Sequence, residues 1–376
     1  MTVVSPSFDI TDPDAAGIDP LRLGVFLDRV RLEVASGRLP SVQVAIARDN
    51  RLVWDETIGQ AKPSDRYILQ SVGRSVVAGT VWKLLGEGAV GLDERIGDII
   101  PEFATNGKER VTFEHVLTHT AGFPFAPLGY PNMLDRQSRL DAMSRWHLTY
   151  VPGSQLQFHL TAAAWVIAEI VERRSGLPFA DYLRSTLIEP LGLGFLLPVP
   201  AEDYDELLAI PVATDRTSDD QQVDPWGPWY LANPGVLAGG EPSHSIAGRA
   251  ADMALWFQAM RHSGLWPAGI VDEATRIRRS EAPAGKRIYG GSPEILNVGL
   301  FVTVSGEVGG SWTPRTGSPK TFGSGGAPCQ LAFYDPESDV SFAFLTNGYP
   351  LSGYDYTRAG LNRIINIANL GNDLVA

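Results

Sequence analysis

One serine of this chain is well placed for nucleophilic chemistry because it precedes an apolar helical pattern. The segment SVGRSVVAGTVWKLLGEG begins with Ser71 and carries Val77, Val81, Leu84 and Leu85 at helical spacing. This spacing predicts a buried helix that begins at Ser71, with the serine as its N-cap and glycines at its end. Backbone N–H groups and the helix dipole stabilise negative charge at such a position. Ser71 is therefore either a nucleophile or an ordinary N-cap.

The arginine three residues further along has a different chemistry. A guanidinium stays charged at every relevant pH, so Arg74 cannot accept the proton of the Ser71 hydroxyl. It can donate hydrogen bonds to Ser71, stabilise an alkoxide, or bind a substrate carboxylate in bidentate fashion.

Two histidines are candidates for proton transfer, because imidazole changes its charge near neutral pH. His159 lies in the segment LQFHL, and packing is its alternative role. His244 lies in the segment GGEPSHSIAG before a predicted helix, and capping or surface exposure is its alternative role. His115 and His119 are predicted to make core hydrogen bonds.

An irregular segment from residue 214 to residue 240 carries three aromatic side chains among prolines. Trp226, Trp229 and Tyr230 follow the acidic turn TSDDQQVD. Long aromatic loops of this kind form either a pocket wall or a surface packing patch. Both interpretations stay open, and we include the three residues among the candidate substrate-binding groups.

Composition excludes several classes of partner and cofactor. The net charge of −12 opposes binding to nucleic-acid phosphates and to anionic membrane surfaces, so we expect a small-molecule ligand. A single cysteine and the lack of metal-ligand spacing predict no disulfide, no metal and no organic cofactor. The first residues resemble no secretory signal, which predicts a cytoplasmic protein, and no apolar run is long enough to span a membrane. The oligomeric state is not predicted.

The order of elements predicts an α+β fold. A helix with Gly37 as its stop precedes two β-rich runs joined at Asp49-Asn50, and the middle of the chain is mostly helical. Short β-rich runs and a final helix follow. We expect residues 1–18 to form a leader and residues 19–376 one domain. Residues 19–69 and 285–376 would supply an antiparallel sheet, and residues 70–284 an inserted, mainly helical region.

Four separated segments resemble one family of serine hydrolases. They are YILQSVGRSVVAGTVWKLLGEGAVGLDERIGDIIPEF, VTFEHVLTHTAGFP, VPGSQLQFHLTAAAWVIAEIVERRSG and KTFGSGGAPCQLAFYDPESDVSFAFLTNG. In content and order they are similar to the serine β-lactamase/penicillin-binding-protein family, and the resemblance covers roughly residues 20 to 370. It implies an α/β/α sandwich-like fold with Ser71 as the acylated nucleophile. The family includes class C β-lactamases, peptidases, esterases and amide hydrolases.

The resemblance also shows where this chain departs from the family motifs. Arg74 stands where the family has the lysine of Ser-x-x-Lys. Phe158-His159-Leu160 replaces Tyr-x-Asn, and Ser324-Gly325-Gly326 replaces Lys-Thr-Gly or His-x-Gly. By resemblance Phe158 and Leu160 face the pocket and make it apolar. Backbone N–H groups of Ser71 and of the strand near Ser324 would form the oxyanion hole.

Two hypotheses about function follow from these substitutions. In the first, the protein is a divergent serine hydrolase of the esterase or amidase type that acts on a small, apolar acyl substrate through Ser71. In the second, it is a non-hydrolytic member, namely a ligand-binding protein, lyase, isomerase or cyclase, in which Arg74 binds an anionic group. The missing lysine and tyrosine bases weaken the first hypothesis.

Overall fold

The computed structural model describes residues 3–159, 161–214, 232–242, 244–282, 295–308, 313–326, 329–349 and 361–375. The helices in these ranges are α1 (Pro20–Ala35), α2 (Arg74–Gly86), α3 (Ile96–Ile99), α4 (Phe113–Leu117), α5 (Arg136–Arg145), α6 (Thr161–Ser175), α7 (Phe179–Leu183), α8 (Glu189–Leu191), α9 (Tyr204–Leu207), α10 (Pro234–Ala238), α11 (Ala250–His262), α12 (Ile270–Ala274) and α13 (Leu361–Gly371). None of these described helices has the length and apolar character needed to cross a membrane.

One large antiparallel sheet forms the centre of the fold. The strands are β1 (Ser41–Arg48), β2 (Arg51–Gly59), β3 (Tyr67–Ile68), β4 (Val212–Ala213), β5 (Ala247–Gly248), β6 (Arg279–Glu281), β7 (Leu296–Val298), β8 (Thr303–Val304), β9 (Phe322–Gly326), β10 (Gln330–Asp335), β11 (Val340–Thr346) and β12 (Gly348–Tyr349). Within the described residues, eight of them form a sheet in the order β2-β1-β11-β10-β9-β8-β7-β6. The predicted α+β fold, with a sheet made from both ends of the chain, is confirmed.

The first hairpin folds as its turn residues predict. Asp49 and Asn50 have φ angles of 51° and 61° and join β1 to β2. Two successive left-handed residues are typical of a type I′ turn, which matches the twist of antiparallel strands. The hairpin then pairs through β1 with β11, from Val42 opposite Thr346 to Arg48 opposite Val340.

The two faces of the sheet pack against different helices. On one face Val42, Val44 and Ile46 of β1 contact the apolar sides of α1 and α13. On the other face Ala45 and Ala47 lie under α11, whose residues from Ala250 to Met260 are all buried. Because side chains alternate along a strand, β1 presents large residues to one layer and small residues to the other. The small residues let α11 approach the sheet closely.

The bounds of the mainly helical region, residues 70 and 284, stay a prediction. The structure begins strand β6 at Arg279, before the expected return of the sheet at residue 285. That strand pairs with β7 from Arg279 opposite Val298 to Glu281 opposite Leu296. The outer strand of the sheet therefore comes from the end of the inserted region.

The helix that follows Ser71 packs closely against α11 at a glycine. An added Cβ at Gly79 of α2 would lie 2.6 Å from the Trp256 ring and 2.7 Å from Met260. The Gly79 carbonyl also accepts a 2.7 Å hydrogen bond from the indole of Trp266. This close approach fixes the distance between α2 and the layer that covers the sheet.

The start of α2 differs from the prediction. Ser71 is not the N-cap of an α-helix: it lies inside a 3₁₀ turn, Gln70–Gly73, and the α-helix begins at Arg74. Gly73 is the N-cap of that helix, and no side chain caps it. The tighter turn arises because the backbone before Ser71 is bound to neighbouring strands, which the apolar spacing of α2 does not reveal.

Replacing Gly79 by alanine is expected to destabilise the protein although alanine favours helices. Overpacking costs about 1–3 kcal/mol, whereas the helix propensity gain is at most about 1 kcal/mol. The matched control is Gly24→Ala in α1, where an added Cβ meets no atom within 4 Å. Urea unfolding should show a lower free energy of unfolding for Gly79→Ala and an unchanged or higher one for Gly24→Ala. Equal behaviour of the two variants would contradict this packing.

A polar network joins the end of α11 to the turn between β10 and β11. His262 Nε2 lies 3.0 Å from both carboxylate oxygens of Asp339, and the Tyr334 hydroxyl donates to Asp339 at 2.7 Å. The hydrogen bond to Asp339 raises the pKa of His262. Burial alone would raise the pKa of Asp339, but the hydrogen bonds from His262 and Tyr334 outweigh it and lower that pKa.

The His262–Asp339 pair is expected to give a stability that depends on pH. Because the folded pKa of His262 is raised, its contribution is complete below the unfolded value near pH 6.5 and is lost as pH rises through the folded value. The urea midpoint of the parent should therefore fall more steeply between pH 6 and pH 9 than that of His262→Gln. Parallel pH profiles for the two proteins would refute the assignment.

Candidate functional site

The turn that carries Ser71 packs against strand β9. The Ser324 hydroxyl donates a 2.8 Å hydrogen bond to the Ser71 carbonyl. An added Cβ at Gly326 would lie 3.2 Å from the Leu69 carbonyl oxygen and 3.3 Å from the Val72 nitrogen. Glycine at position 326 thus lets the strand backbone come close to the turn, and the Ser71 side chain is left half-buried.

Two further hydrogen bonds hold the backbone just before Ser71, and the side chain that makes one of them also bonds to strand β11. The Leu69 N–H donates to the Ile246 carbonyl at 2.8 Å. The Gln330 amide donates to the Ile68 carbonyl at 2.9 Å and to the Thr346 carbonyl at 3.0 Å. Gln70 adopts a left-handed φ of 50°, which is uncommon for a side chain of its size. Residues far apart in the chain therefore impose the sharp turn at Ser71.

The guanidinium of Arg74 is buried within this site. Arg74 is 6 % exposed, and its guanidinium carbon lies 5.6 Å from the centre of the Phe158 ring. Its Nη2 lies 3.3 Å from His244 Nε2. The structure therefore brings together three of the predicted site residues, namely Arg74, Phe158 and His244.

The hydrogen bonds of His244 identify its tautomer. The backbone N–H of His244 donates to Glu241 Oε2 at 2.7 Å, and Nδ1 of its ring lies 3.2 Å from the same oxygen. A carboxylate only accepts hydrogen bonds and a guanidinium only donates them. Nδ1 of His244 therefore carries the proton, and Nε2 accepts from Arg74.

Glu241 is a member of the site that the sequence interpretation missed. Its carboxylate is fully buried and lies three residues before His244. The signal was present as the spacing Glu-x-x-His in GGEPSHSIAG, because a carboxylate three residues before a histidine in a turn can bond to both its backbone and its ring.

The ring of His119 packs against two phenylalanine rings beside Arg74. Its ring lies 4.8 Å from that of Phe158 and 5.2 Å from that of Phe301. Burial, followed by the nearby charge of Arg74 and by His159, holds the pKa of His119 well below its usual value. His119 is thus a neutral, buried ring, in line with the expected core role.

His159 has a structural role, which corrects its prediction as a catalytic residue. Its Nε2 accepts from the Phe123 backbone N–H at 3.0 Å, and its Nδ1 donates to the Gln157 carbonyl at 2.8 Å. Both ring nitrogens are used by the backbone, and burial lowers its pKa to about 4. A histidine in these contacts cannot accept the proton of Ser71. The misassignment arose because spacing from the family motif does not show where the ring nitrogens point.

The remaining predicted residues divide into two groups. Ser324, Gly325 and Gly326 lie on β9 beside Ser71, as expected from the resemblance. The other predicted substrate-binding residues lie outside the described residues, and they are Leu160, Trp226, Trp229 and Tyr230. Arg249 and Asp252 form an ion pair with a 3.0 Å contact at the start of α11.

The contacts of the Ser71 hydroxyl limit the chemistry of the site. In the part of the chain that the structure describes, no hydrogen bond joins this hydroxyl to a histidine, lysine or tyrosine. The site therefore offers a fixed cation, backbone groups of a tight turn and an apolar wall. These groups stabilise negative charge but do not by themselves remove a proton.

Replacing His159 is expected to reduce stability without changing the reactivity of Ser71. His159→Leu leaves a buried N–H and a buried carbonyl without their partner, which costs about 2–4 kcal/mol in total. His159→Gln keeps a donor and an acceptor and should cost less. Urea unfolding measures the first effect, and the rate of Ser71 labelling by a fluorophosphonate measures the second. A stable His159→Leu protein with an unreactive Ser71 would restore the catalytic assignment.

Comparisons with known proteins agree with this architecture. A putative D-alanyl-D-alanine carboxypeptidase of Escherichia coli K12 is 26% identical over 385 residues, which cover 91% of this chain and 86% of that protein. A penicillin-binding protein homologue from Caulobacter crescentus superposes with a TM-score of 0.76 at 23% identity, over 96% of this chain and 100% of that one.

A third solved structure, titled a family VIII carboxylesterase, has a TM-score of 0.75 at 17% identity, over 94% of this chain and 99% of that one. At these identities the two structures are evidence for the fold alone. The Beta-lactamase family model matches residues 26–366, nearly the whole chain. The chain therefore belongs to the Beta-lactamase family.

Proposed function

We propose that the protein is a serine hydrolase in which Ser71 attacks the carbonyl of an ester or amide. The observation that carries this proposal is the packing of the Ser71 turn against the glycine strand β9, with Ser324 bonded to the Ser71 carbonyl at 2.8 Å. Ser71 is half-buried, and we expect its hydroxyl to lie beside backbone N–H groups of its own turn and of β9. Such groups stabilise the oxyanion of acyl transfer when they are fixed in advance.

The edge of β9 favours an oxyanion hole. Strand β8 pairs with β9 only at Phe322 and Gly323, so the following residues border the Ser71 turn instead. In the proposed reaction, Ser71 Oγ bonds to the carbonyl carbon and the oxyanion accepts hydrogen bonds from backbone N–H groups. The leaving group departs with a proton, and water then hydrolyses the acyl-enzyme to release the acid and restore the serine.

The walls of the site favour an apolar acyl group. Phe158 packs against the buried side chains of Leu156, Leu296 and Val298. The family motif has a tyrosine at this position. Phenylalanine lacks the phenol hydroxyl, so it offers an apolar contact and not a proton acceptor. The similarity over 91% of this chain to a protein named a putative D-alanyl-D-alanine carboxypeptidase supports a hydrolytic reaction class here.

Among the residues that the structure describes, none is bonded to the Ser71 hydroxyl as a general base, and this sets the expected rate. General-base catalysis is worth roughly 10²–10⁴-fold, and neither Arg74 nor His159 can supply it. We therefore expect slow hydrolysis that is fastest for esters with good leaving groups.

Labelling of Ser71 tests the proposal. A fluorophosphonate should form one adduct, located on Ser71 by mass spectrometry, and p-nitrophenyl butyrate should be hydrolysed by the parent but at least tenfold more slowly by Ser71→Ala. The matched control is Ser75→Ala, because Ser75 lies one turn further along α2 and its hydroxyl is buried. This variant should retain both the adduct and the turnover.

A second candidate function is the binding of a ligand without hydrolysis. The observation that favours it is the permanent charge of Arg74 at the place where a proton acceptor would serve a hydrolase. A folded parent protein that gives no adduct between pH 6 and pH 9 would reject the hydrolase and favour this alternative.

A further inference from the structure

A small cavity lies beside the turn that carries Ser71. Its volume is about 10 Å³, which is room for one water molecule. Gln70 of the turn, Gln330 of β10 and Thr346 of β11 line it, together with residues of the segment before β4. Gln70 directly precedes Ser71, so a molecule held in this cavity touches the turn of the candidate nucleophile.

The side-chain amide of Gln330 has one fixed orientation in this cavity. The residue is 3 % exposed. Its Nε2 donates to the Ile68 carbonyl at 2.9 Å and to the Thr346 carbonyl at 3.0 Å. Carbonyl groups only accept hydrogen bonds, so the nitrogen and the oxygen of the amide cannot change places. Both N–H donors of Gln330 are therefore used, and its oxygen points away from these two carbonyls.

The amide oxygen of Gln330 is a buried acceptor that the protein does not satisfy within the described chain. No donor of the described residues bonds to Gln330 Oε1, and the atom is shielded from bulk solvent. A buried oxygen without a donor is costly, so folded proteins pair such atoms with protein groups or with ordered water. Because Gln330 lines the cavity, a molecule bound there can supply the donor.

Gln70 brings a second side-chain amide to the same cavity. It is 5 % exposed, and its side chain makes no hydrogen bond to another residue that the structure describes. An amide offers two donors and one acceptor, so it can bind a small polar molecule through either atom. Two neutral amides therefore meet at a space of the size of a water molecule.

The backbone of Gln70 supports a role for its side chain. Its φ of 50° lies in the left-handed region, and four of the other six described non-glycine residues in that region are Asp or Asn. These short polar residues adopt the conformation at lower cost than glutamine does. Glutamine is thus unfavourable for the turn alone, and a hydrogen bond from its side chain would offset this cost.

We propose that the cavity is a binding site for one ordered water molecule that bridges Gln330 Oε1 and the Gln70 amide. The water donates one hydrogen to Gln330 Oε1 and makes its second polar contact with Gln70. Neutral amides suit water better than an ion, whose charge they would not balance, and the volume excludes an organic ligand. The bridge ties the residue before Ser71 to β10, next to the direct bond from Gln330 to Ile68.

A high-resolution crystal structure of the parent protein tests the site directly. We expect one density peak at about 2.7–3.2 Å from both Gln330 Oε1 and the Gln70 amide. The inference is overturned where no peak lies between the two amides, or where a protein donor reaches Gln330 Oε1 instead. A peak inside a cage of several oxygen ligands at metal distances overturns it as well, because the occupant is then a cation.

Two variants of Gln70 test which group holds the water. Gln70→Leu removes the amide at nearly constant size, so the water peak should disappear. The Leu69 amide, which bonds to the Ile246 carbonyl, should then exchange with deuterium about tenfold faster because the turn opens more easily. Gln70→Asn keeps an amide and tolerates the same φ, so it should retain the water peak. A water peak and an exchange rate unchanged in Gln70→Leu would refute the bridge.

The matched control is Gln137→Leu. This substitution removes the amide that bonds to Asp141 on the exposed side of α5, and it should leave the water peak and the Leu69 exchange rate unchanged. Equal effects of the two leucine variants would count against the bridge.

These measurements separate the water site from the proposed hydrolase. Electron density and hydrogen exchange are recorded without any reaction of Ser71. Failure of Ser71 labelling with the water peak present would reject the hydrolase and retain the water site. Labelling without the peak would do the reverse.

Discussion

The pairing of β1 with β11 is the constraint on which the site depends. It brings residues from the two ends of the chain into one register, with Val42 opposite Thr346. The Thr346 carbonyl accepts a hydrogen bond from Gln330, and the same amide binds the carbonyl of Ile68, three residues before Ser71. The turn at Ser71 is therefore held by the sheet and not by the helix that follows it. Helix propensity alone would make Ser71 a simple N-cap and would not produce the 3₁₀ turn.

Elements governed by local rules were predictable from the sequence, and contacts between distant residues were not. Asp49-Asn50 specifies a tight turn, and the apolar spacing of α1 and α2 specifies helices, because each signal lies within a few residues. The 3₁₀ turn at Ser71 depends on β9 and on Gln330, more than 250 residues away. The ring nitrogens of His159 likewise depend on Phe123, whose position the local sequence does not fix.

The same contrast between local signals and distant contacts explains which site residues the sequence predicts and which it does not. The resemblance to the family motif predicts that Arg74 stands in the place of a lysine, and the chemical consequence of that exchange follows from the guanidinium alone. Which histidine serves Arg74 is a matter of loop geometry, and the structure selects His244 over His159. Glu241 completes the arrangement because a carboxylate fixes the tautomer of the ring it contacts. The short spacing Glu-x-x-His is consistent with this contact between Glu241 and His244, but the structure is needed to identify it.

Two buried histidines near one arginine illustrate how environment divides roles among identical side chains. His119 packs against the Phe158 ring, and burial, followed by the charge of Arg74 and by His159, holds its pKa well below the usual value, so its ring stays neutral. His244 has a carboxylate on one side and the guanidinium on the other, so its ring is held between two polar partners. The family fold places the serine and its backbone neighbours, and it leaves the charge beside the serine open to change. A fixed cation at this position cannot accept a proton from the serine, as a lysine there could.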